Sequence, residues 1–176
     1  RFVVDNEYEL ELVEKIAGEL GKVQKIQLRI TPGVDSHTHA KINTGRLDSK
    51  FGISLESENR DRILKKALDS EHVELMGFHF HVGSQLQDNR DHLMALDIVL
   101  DLGREIRKSL GYTVRELNLG GGFGVRYVEG ECDVHVADFT EPMMAKIRDF
   151  CEKEKMDRPR VYIEPGRWIA ANAGIT

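Results

Sequence analysis

Apolar and polar positions along this chain alternate with two periods, and the switches between them mark a regular succession of strands and helices. Phe2–Asp5 reads as a short strand. Glu7–Leu20 follows as a helix, with Leu10, Val13, Ile16, Ala17 and Leu20 on one face. Asp5 or Asn6 can cap its first N–H groups, and Gly21 sits where a left-handed residue ends it. In Lys25–Ile30, Ile26, Leu28 and Ile30 alternate with Gln27 and Arg29, the period of a strand. Thr31-Pro32-Gly33 breaks it, and a polar stretch runs to about Gly52. A helix is expected over Ser57–Asp69, a strand over Val73–His79 and the longest helix over Asn89–Leu110, stopped by Gly111. A brief strand, Glu116–Leu119, runs into Gly120-Gly121-Gly122. The last helix is expected over Phe139–Glu154, with Thr140 as cap and Pro142 in the first turn, and the last strand over Arg160–Glu164.

Five strands alternating strictly with four helices require a parallel sheet with right-handed crossovers, either doubly wound or a portion of a (β/α)₈ barrel. Long strand-to-helix segments beside short helix-to-strand ones favour the barrel, whose sites are built from the former. Five strands cannot close one. The opening Arg1-Phe2-Val3-Val4-Asp5 reads as a strand already under way and Ile169–Thr176 as apolar and β-prone, so both ends are expected to be cut from a longer chain.

Composition narrows the partners. Of 176 residues 40% are hydrophobic and 31% charged, a globular balance that argues against disorder, and the net charge of −5 comes without a basic block to attract nucleic acid or an anionic membrane. No apolar run approaches the roughly 18 residues that span a bilayer. Cys132 and Cys151 form neither a disulfide framework nor a metal knuckle, which fits a cytoplasmic location.

The residues with chemistry collect directly after strands. His79-Phe80-His81-Val82-Gly83-Ser84-Gln85 ends one, Gly120-Gly121-Gly122-Phe123-Gly124 another and Glu164-Pro165-Gly166-Arg167 a third. In a parallel sheet all three lie on one rim, where ligands bind. Three glycines in a row make either a flexible turn or a loop whose N–H groups face an anion such as phosphate. The spacing is neither a Rossmann fingerprint nor a Walker A loop. His79 and His81 share one face of their strand, with Phe78 and Phe80 on the other. They can ligate a metal, hydrogen-bond internally, or offer a flat imidazole to an aromatic cofactor. His37 and His39 form a second such pair in a loop rich in Asp, Ser and Thr. Ser84 can donate to a phosphate. Glu164 and Arg167 either pair locally or act separately, Arg167 on an anion and Glu164 on a cationic ring nitrogen. Lys50, in Asp48-Ser49-Lys50-Phe51-Gly52, reads as an exposed loop lysine.

Taken in order, His81-Val82-Gly83-Ser84-Gln85, Gly120-Gly121-Gly122-Phe123-Gly124 and Glu164-Pro165-Gly166-Arg167 resemble the pyridoxal-phosphate decarboxylases of the ornithine/diaminopimelate/arginine group. The stretch Pro32–His39, leading through Thr44-Gly45 to Asp48–Gly52, and Asn118-Leu119 are similar to its diaminopimelate branch. The resemblance covers essentially the whole chain. It implies an α/β fold, a partial (β/α)₈ TIM barrel of about strands four to eight, alanine-racemase-like, with pyridoxal 5'-phosphate as cofactor and no metal. It implies that His81 stacks on the cofactor ring, that Ser84 and the backbone N–H groups of Gly121, Gly122, Gly166 and Arg167 hold its phosphate, with Gly120 and Pro165 shaping the two loops, and that Glu164 pairs with the pyridine nitrogen. His81 and Glu164 are thereby the catalytic pair, Arg167 also meets a substrate carboxylate, and Arg29 orders the pocket.

No lysine occupies the position from which the family anchors its cofactor, and the cysteine and tyrosine of its C-terminal β-domain have no counterpart here. The implied parent releases CO₂ from meso-diaminopimelate to give L-lysine, as a homodimer with sites at the interface, and the present chain is expected to be inactive alone. The alternatives are decarboxylation of another basic amino acid, a non-catalytic pyridoxal-phosphate binder, and a metal hydrolase built on His79 and His81.

Overall fold

The computed structural model describes residues 1–34, 51–55, 57–130 and 133–174. His37, His39, Asp48, Ser49, Lys50 and Cys132 lie outside the described residues. The described residues form six strands and five α-helices: β1 (Phe2–Val4), α1 (Glu7–Glu19), β2 (Gln24–Thr31), β3 (Ile53–Ser54), α2 (Ser57–Asp69), β4 (Val73–His79), α3 (Arg90–Leu110), β5 (Glu116–Asn118), α4 (Val136–Glu154), β6 (Arg160–Tyr162) and α5 (Gly166–Ala170).

The sheet runs β1-β2-β4-β5-β6, with β3 paired to β2, and every pairing is parallel. Spatial order follows chain order without the reversal of a doubly wound sheet, so the molecule is an arc of a barrel. Its curl brings together side chains from strands that are not neighbours. Arg1, at the entrance to β1, reaches Glu116 on β5 at 2.7 Å, although two strands of the sheet separate them.

The two faces differ as the alternation along the strands requires. The register places Val4, Leu28, Phe78, Leu117 and Val161 in one row facing the helices. With Ile26, Phe80, Leu96, Ile106, Phe123, Phe139 and Met143 they make the apolar core. The next row, Arg29, His79, Asn118 and Tyr162, faces the concave side, and so does the row of Gln27, Gly77 and Glu116. Because Gly77 has no side chain, Gln27 Nε2 reaches across β4 to donate to Glu116 at 3.1 Å. A Cβ on Gly77 would stand 1.8 Å from the Glu116 carbonyl oxygen. Glu116 is 3% exposed, and its carboxylate also accepts from Arg1 Nε and Nη2 and from the Tyr162 hydroxyl at 3.2 Å.

The helix ends follow local chemistry. Asn6 caps α1 by accepting from the Glu9 N–H at 3.0 Å, and Glu9 accepts from the Asp5 N–H at 2.7 Å. Gly21, at φ +60°, closes the helix as expected. The stretch from Ile169, expected to be β-prone, is instead helical: Ile169 and Ala170 end α5, and Ala171–Ala173 form a 3-10 turn. Other expectations also need correction. The α1 face is only half used: Leu10 and Ala17 are buried, but Ile16 is 45% and Leu20 63% exposed. Helix α4 begins at Val136, with His135 at its N-cap, so Thr140 caps nothing and instead donates to the Val136 carbonyl within the helix. Strand β3, two residues long, has too short a pattern to be seen in the sequence. No helix among the described residues is long and apolar enough to cross a membrane.

Candidate active site

The C-terminal ends of β4, β5 and β6 meet, because main-chain bonds continue past the strands. The Phe80 N–H donates to Asn118 O at 3.0 Å, the Leu119 N–H to Tyr162 O at 2.9 Å and the Glu164 N–H to Gly120 O at 2.8 Å. The three sequence motifs therefore share one rim. Their approach is close enough to demand glycine. A Cβ on Gly121 would lie 2.0 Å from the Glu164 carbonyl oxygen, and one on Gly122 would lie 2.1 Å from that of Gly83.

Glu164, at the end of β6, has a half-exposed side chain. One carboxylate oxygen accepts from Asn118 Nδ2 at 2.8 Å, and the other lies 3.6 Å from His79 Nε2. Asn118 uses its other end as well, its Oδ1 accepting the Gly120 N–H at 3.0 Å, so one side chain sets both the carboxylate and the start of the glycine loop. His79 is buried, and its Nδ1 has no hydrogen-bond partner among the described residues. Burial pushes its imidazole below the usual range, Glu164 opposes that shift and Arg29 adds to it. His79 is neutral on these grounds, and its Nε2 is the nitrogen that faces the carboxylate.

His81 lies one strand period further on, its ring at the rim. Gly121 N–H donates to its Nδ1 at 3.3 Å, which leaves the proton on Nε2. Partial enclosure and the charge of Arg29 hold its imidazole below the usual range, against Glu164. Arg29 itself stands 3.5 Å from Asp5 and 4.8 Å over the Phe51 ring, across from His79 in the sheet register.

Arg167 does not pair with Glu164. Its guanidinium donates to Ser84 Oγ at 3.0 Å and to the Tyr127 hydroxyl. Of the four backbone N–H groups expected on one anion, two already have acceptors: Gly121 donates to His81, and Gly166 to Glu164 O at 2.9 Å. Those of Gly122 and Arg167 have no acceptor among the described residues. Pro165 precedes the first turn of α5 and sets its direction.

Two residues the motifs did not single out help to build the rim. Asn118 stood in a motif without a role. His92, on the first turn of α3, is fully buried and its Nε2 donates to the Gly121 carbonyl at 2.9 Å. In sequence, a histidine on the apolar face of a helix looks like an ordinary core position.

A guanidinium beside a hydroxyl and uncommitted N–H groups suits a phosphate, a carboxylate held by a neutral amide suits a protonated ring nitrogen, and a flat imidazole on the same rim suits an aromatic ring. These donors fit pyridoxal phosphate. Among the described residues no group of three or more His, Cys, Asp or Glu side chains is placed to hold a metal ion.

The fold and site together define a cofactor-binding barrel of the decarboxylase type, and the chain belongs to the pyridoxal-dependent decarboxylases, matching their pyridoxal binding domain over residues 1–171. Within that family, it is similar to diaminopimelate decarboxylases. That of Bacillus subtilis (strain 168) is 40% identical over 174 residues, 99% of this chain. That of Halalkalibacterium halodurans is 41% identical over 175 residues, again 99% of this chain. The crystal structure of diaminopimelate decarboxylase from M. jannaschii in co-complex with L-lysine matches with a TM-score of 0.81 at 35% identity, over 94% of this chain and 38% of that one. The chain spans about 40% of the length of the two curated relatives.

Proposed function

We propose that this chain is the cofactor-binding part of an amino-acid decarboxylase, a carbon–carbon lyase, that releases CO₂ from meso-diaminopimelate to give L-lysine. The observation that carries the reading is the convergence of Glu164, His81 and the Arg167–Ser84 pair on one rim of the barrel. When bound there, pyridoxal 5'-phosphate supplies the electron sink that accepts the electron pair left by the departing carboxylate. Glu164 keeps a ring nitrogen protonated, and Asn118 and His79 hold its carboxylate in place. His81 stacks on the ring. Ser84, Arg167 and the Gly122 N–H bind the phosphate, Gly120, Gly121, Gly166 and Pro165 giving the loops their close approach. Arg167 also meets a substrate carboxylate, and Arg29, tied to Asp5, closes the floor beside His79.

The diaminopimelate reading is supported by the identity of the relatives, and the greater length of those relatives supports placing the remaining barrel strands and a β-domain elsewhere in the protein. The same reading has the enzyme act as a homodimer, with its sites at the interface, in the cytoplasm. On its own, the chain lacks the lysine that anchors the cofactor and turns over no substrate.

The test is release of CO₂ from meso-diaminopimelate, with L-lysine formed in equal amount, by the full-length protein supplied with pyridoxal phosphate, while this chain alone releases none. Ornithine, arginine and lysine run in parallel. Turnover of one of these in place of diaminopimelate moves the substrate assignment, and turnover of none leaves a cofactor binder.

A further inference from the structure

We infer that His92 is a positioning residue that sets the protonated nitrogen and the plane of His81 through a single glycine, a role that rests on the cofactor reading above. Helix α3 presents His92 to the underside of the glycine loop. Its Nε2 is 2.9 Å from Gly121 O, and since a carbonyl only accepts, that nitrogen carries the proton. Its Nδ1 is buried with no partner among the described residues, which is tolerable for a lone pair and costly for an N–H. The ring stacks on Phe123 at 5.5 Å with an interplanar angle of 5°, and meets the edge of Phe139 at 5.4 Å. Two aromatic neighbours and one hydrogen bond therefore define one neutral tautomer and one orientation.

The consequence passes to the other side of the loop. Gly121, held at its carbonyl by His92, gives its N–H to Nδ1 of His81 at 3.3 Å. His81 must then carry its proton on Nε2. A residue whose Cβ would clash with Glu164 has no side chain to steady it, so the bond from His92 substitutes for side-chain packing at this point of the loop. Without that bond the Gly121 carbonyl is left unsatisfied in an apolar setting, and the loop turns to find another donor.

Two variants separate hydrogen bonding from packing. His92→Phe keeps an aromatic ring beside Phe123 and loses the donor. His92→Gln loses the ring and keeps an N–H that reaches the carbonyl. Leu102→Ala, a core truncation on the same helix, controls for general destabilisation. The readouts are the dissociation constant for pyridoxal phosphate, the melting temperature of the cofactor-free protein, and the His81 tautomer by nitrogen NMR without cofactor.

The expected result is a cofactor affinity weakened on the order of tenfold in His92→Phe, the effect of one unsatisfied buried acceptor. His92→Gln stays near the parental affinity, and Leu102→Ala melts lower with affinity unchanged. His81 is protonated on Nε2 in the parent and in His92→Gln, and becomes a mixture in His92→Phe. Equal affinities and tautomers in the parent and His92→Phe overturn the inference, as does a loss in His92→Gln as large as that in His92→Phe. Failure of the parent to bind pyridoxal phosphate removes the cofactor reading, while the NMR comparison still decides whether His92 controls His81.

Discussion

Replacing Gly121 by alanine separates the closeness of the β5 and β6 ends from their chemistry. The backbone of Gly121 lies outside the left-handed region, so alanine meets no conformational penalty there. Its Cβ, however, would stand 2.0 Å from the carbonyl oxygen of Glu164 and 3.0 Å from its carbonyl carbon. Carbon–oxygen contacts settle at about 3.3–3.6 Å, so one main chain must withdraw by roughly 1.3 Å. That movement opens the 2.8 Å bond from the Glu164 N–H to Gly120 O and pulls the Glu164 carboxylate away from Asn118. Overpacking costs about 1–3 kcal/mol. A lost main-chain bond adds about 0.5–1.5 kcal/mol. Together they amount to about 2–4 kcal/mol, and at roughly 2–4 °C per kcal/mol for a chain of this size the melting temperature falls by about 5–15 °C. Gly166→Ala is the matched control, because a Cβ there meets nothing within 4 Å and its backbone is also outside the left-handed region. Calorimetry of both variants decides the matter. A Gly121→Ala protein that melts at the parental temperature, or a Gly166→Ala protein that falls as far, rules out a close β5–β6 contact as the cause.

Other consequences follow from the same geometry. His79, His81 and His92 are all held below the usual imidazole range, chiefly by burial, so each binds fewer protons folded than unfolded. Stability is then full above about pH 6.5 and declines as pH falls below it; a urea midpoint unchanged between neutral pH and the lower imidazole range contradicts this. The Glu116 carboxyl is held low first by its hydrogen bonds with Arg1, against burial. Its contribution is present above the ordinary carboxylate range and lost as pH falls through the lower folded value. Glu116→Gln flattens that acid limb and costs about 1–2 kcal/mol at neutral pH, at the low end for charged hydrogen bonds because the Arg1 side chain is partly exposed; denaturant titration at several pH values reads both. Tyr112 is pushed up by burial and donates to Leu75 O at 3.0 Å, but Arg115 donates to the same oxygen at 2.8 Å. Tyr112→Phe therefore costs no more than about 0.5–1 kcal/mol in a urea melt, because the carbonyl keeps a donor.

Much of the rim was legible because strand alternation and strand ends carry the information. The alternation of Phe78 and Phe80 with His79 and His81 separates the helix-facing from the concave side, and Gln27 and Arg29 follow the same rule on β2. What stayed hidden depends on contacts between distant segments. Nothing local to Glu116 announces that Arg1, Gln27 and Tyr162 will surround it, since their meeting requires the curl of the sheet and the missing side chain of Gly77. Nor does the spacing of α3 distinguish His92 from its apolar neighbours Ala95, Leu96 and Val99. The sequence points to a later start for α4 because Thr140 and Pro142 both look like first-turn residues, whereas the helix extends back to Val136 and buries Phe139 and Met143.

Paired titrations with pyridoxal phosphate and pyridoxal show whether the β4 and β6 ends bind the phosphate of one cofactor. Any covalent anchoring of the aldehyde contributes to both ligands, so the ratio of their dissociation constants isolates the phosphate. Ser84 and Arg167, 3.0 Å apart, supply the side-chain donors. The parent prefers pyridoxal phosphate, and the Ser84→Ala, Arg167→Ala double variant loses this preference by at least about a hundredfold, from two hydrogen bonds to a charged group worth about 1.5–3 kcal/mol each. A double variant that discriminates between the two ligands as well as the parent does contradicts this.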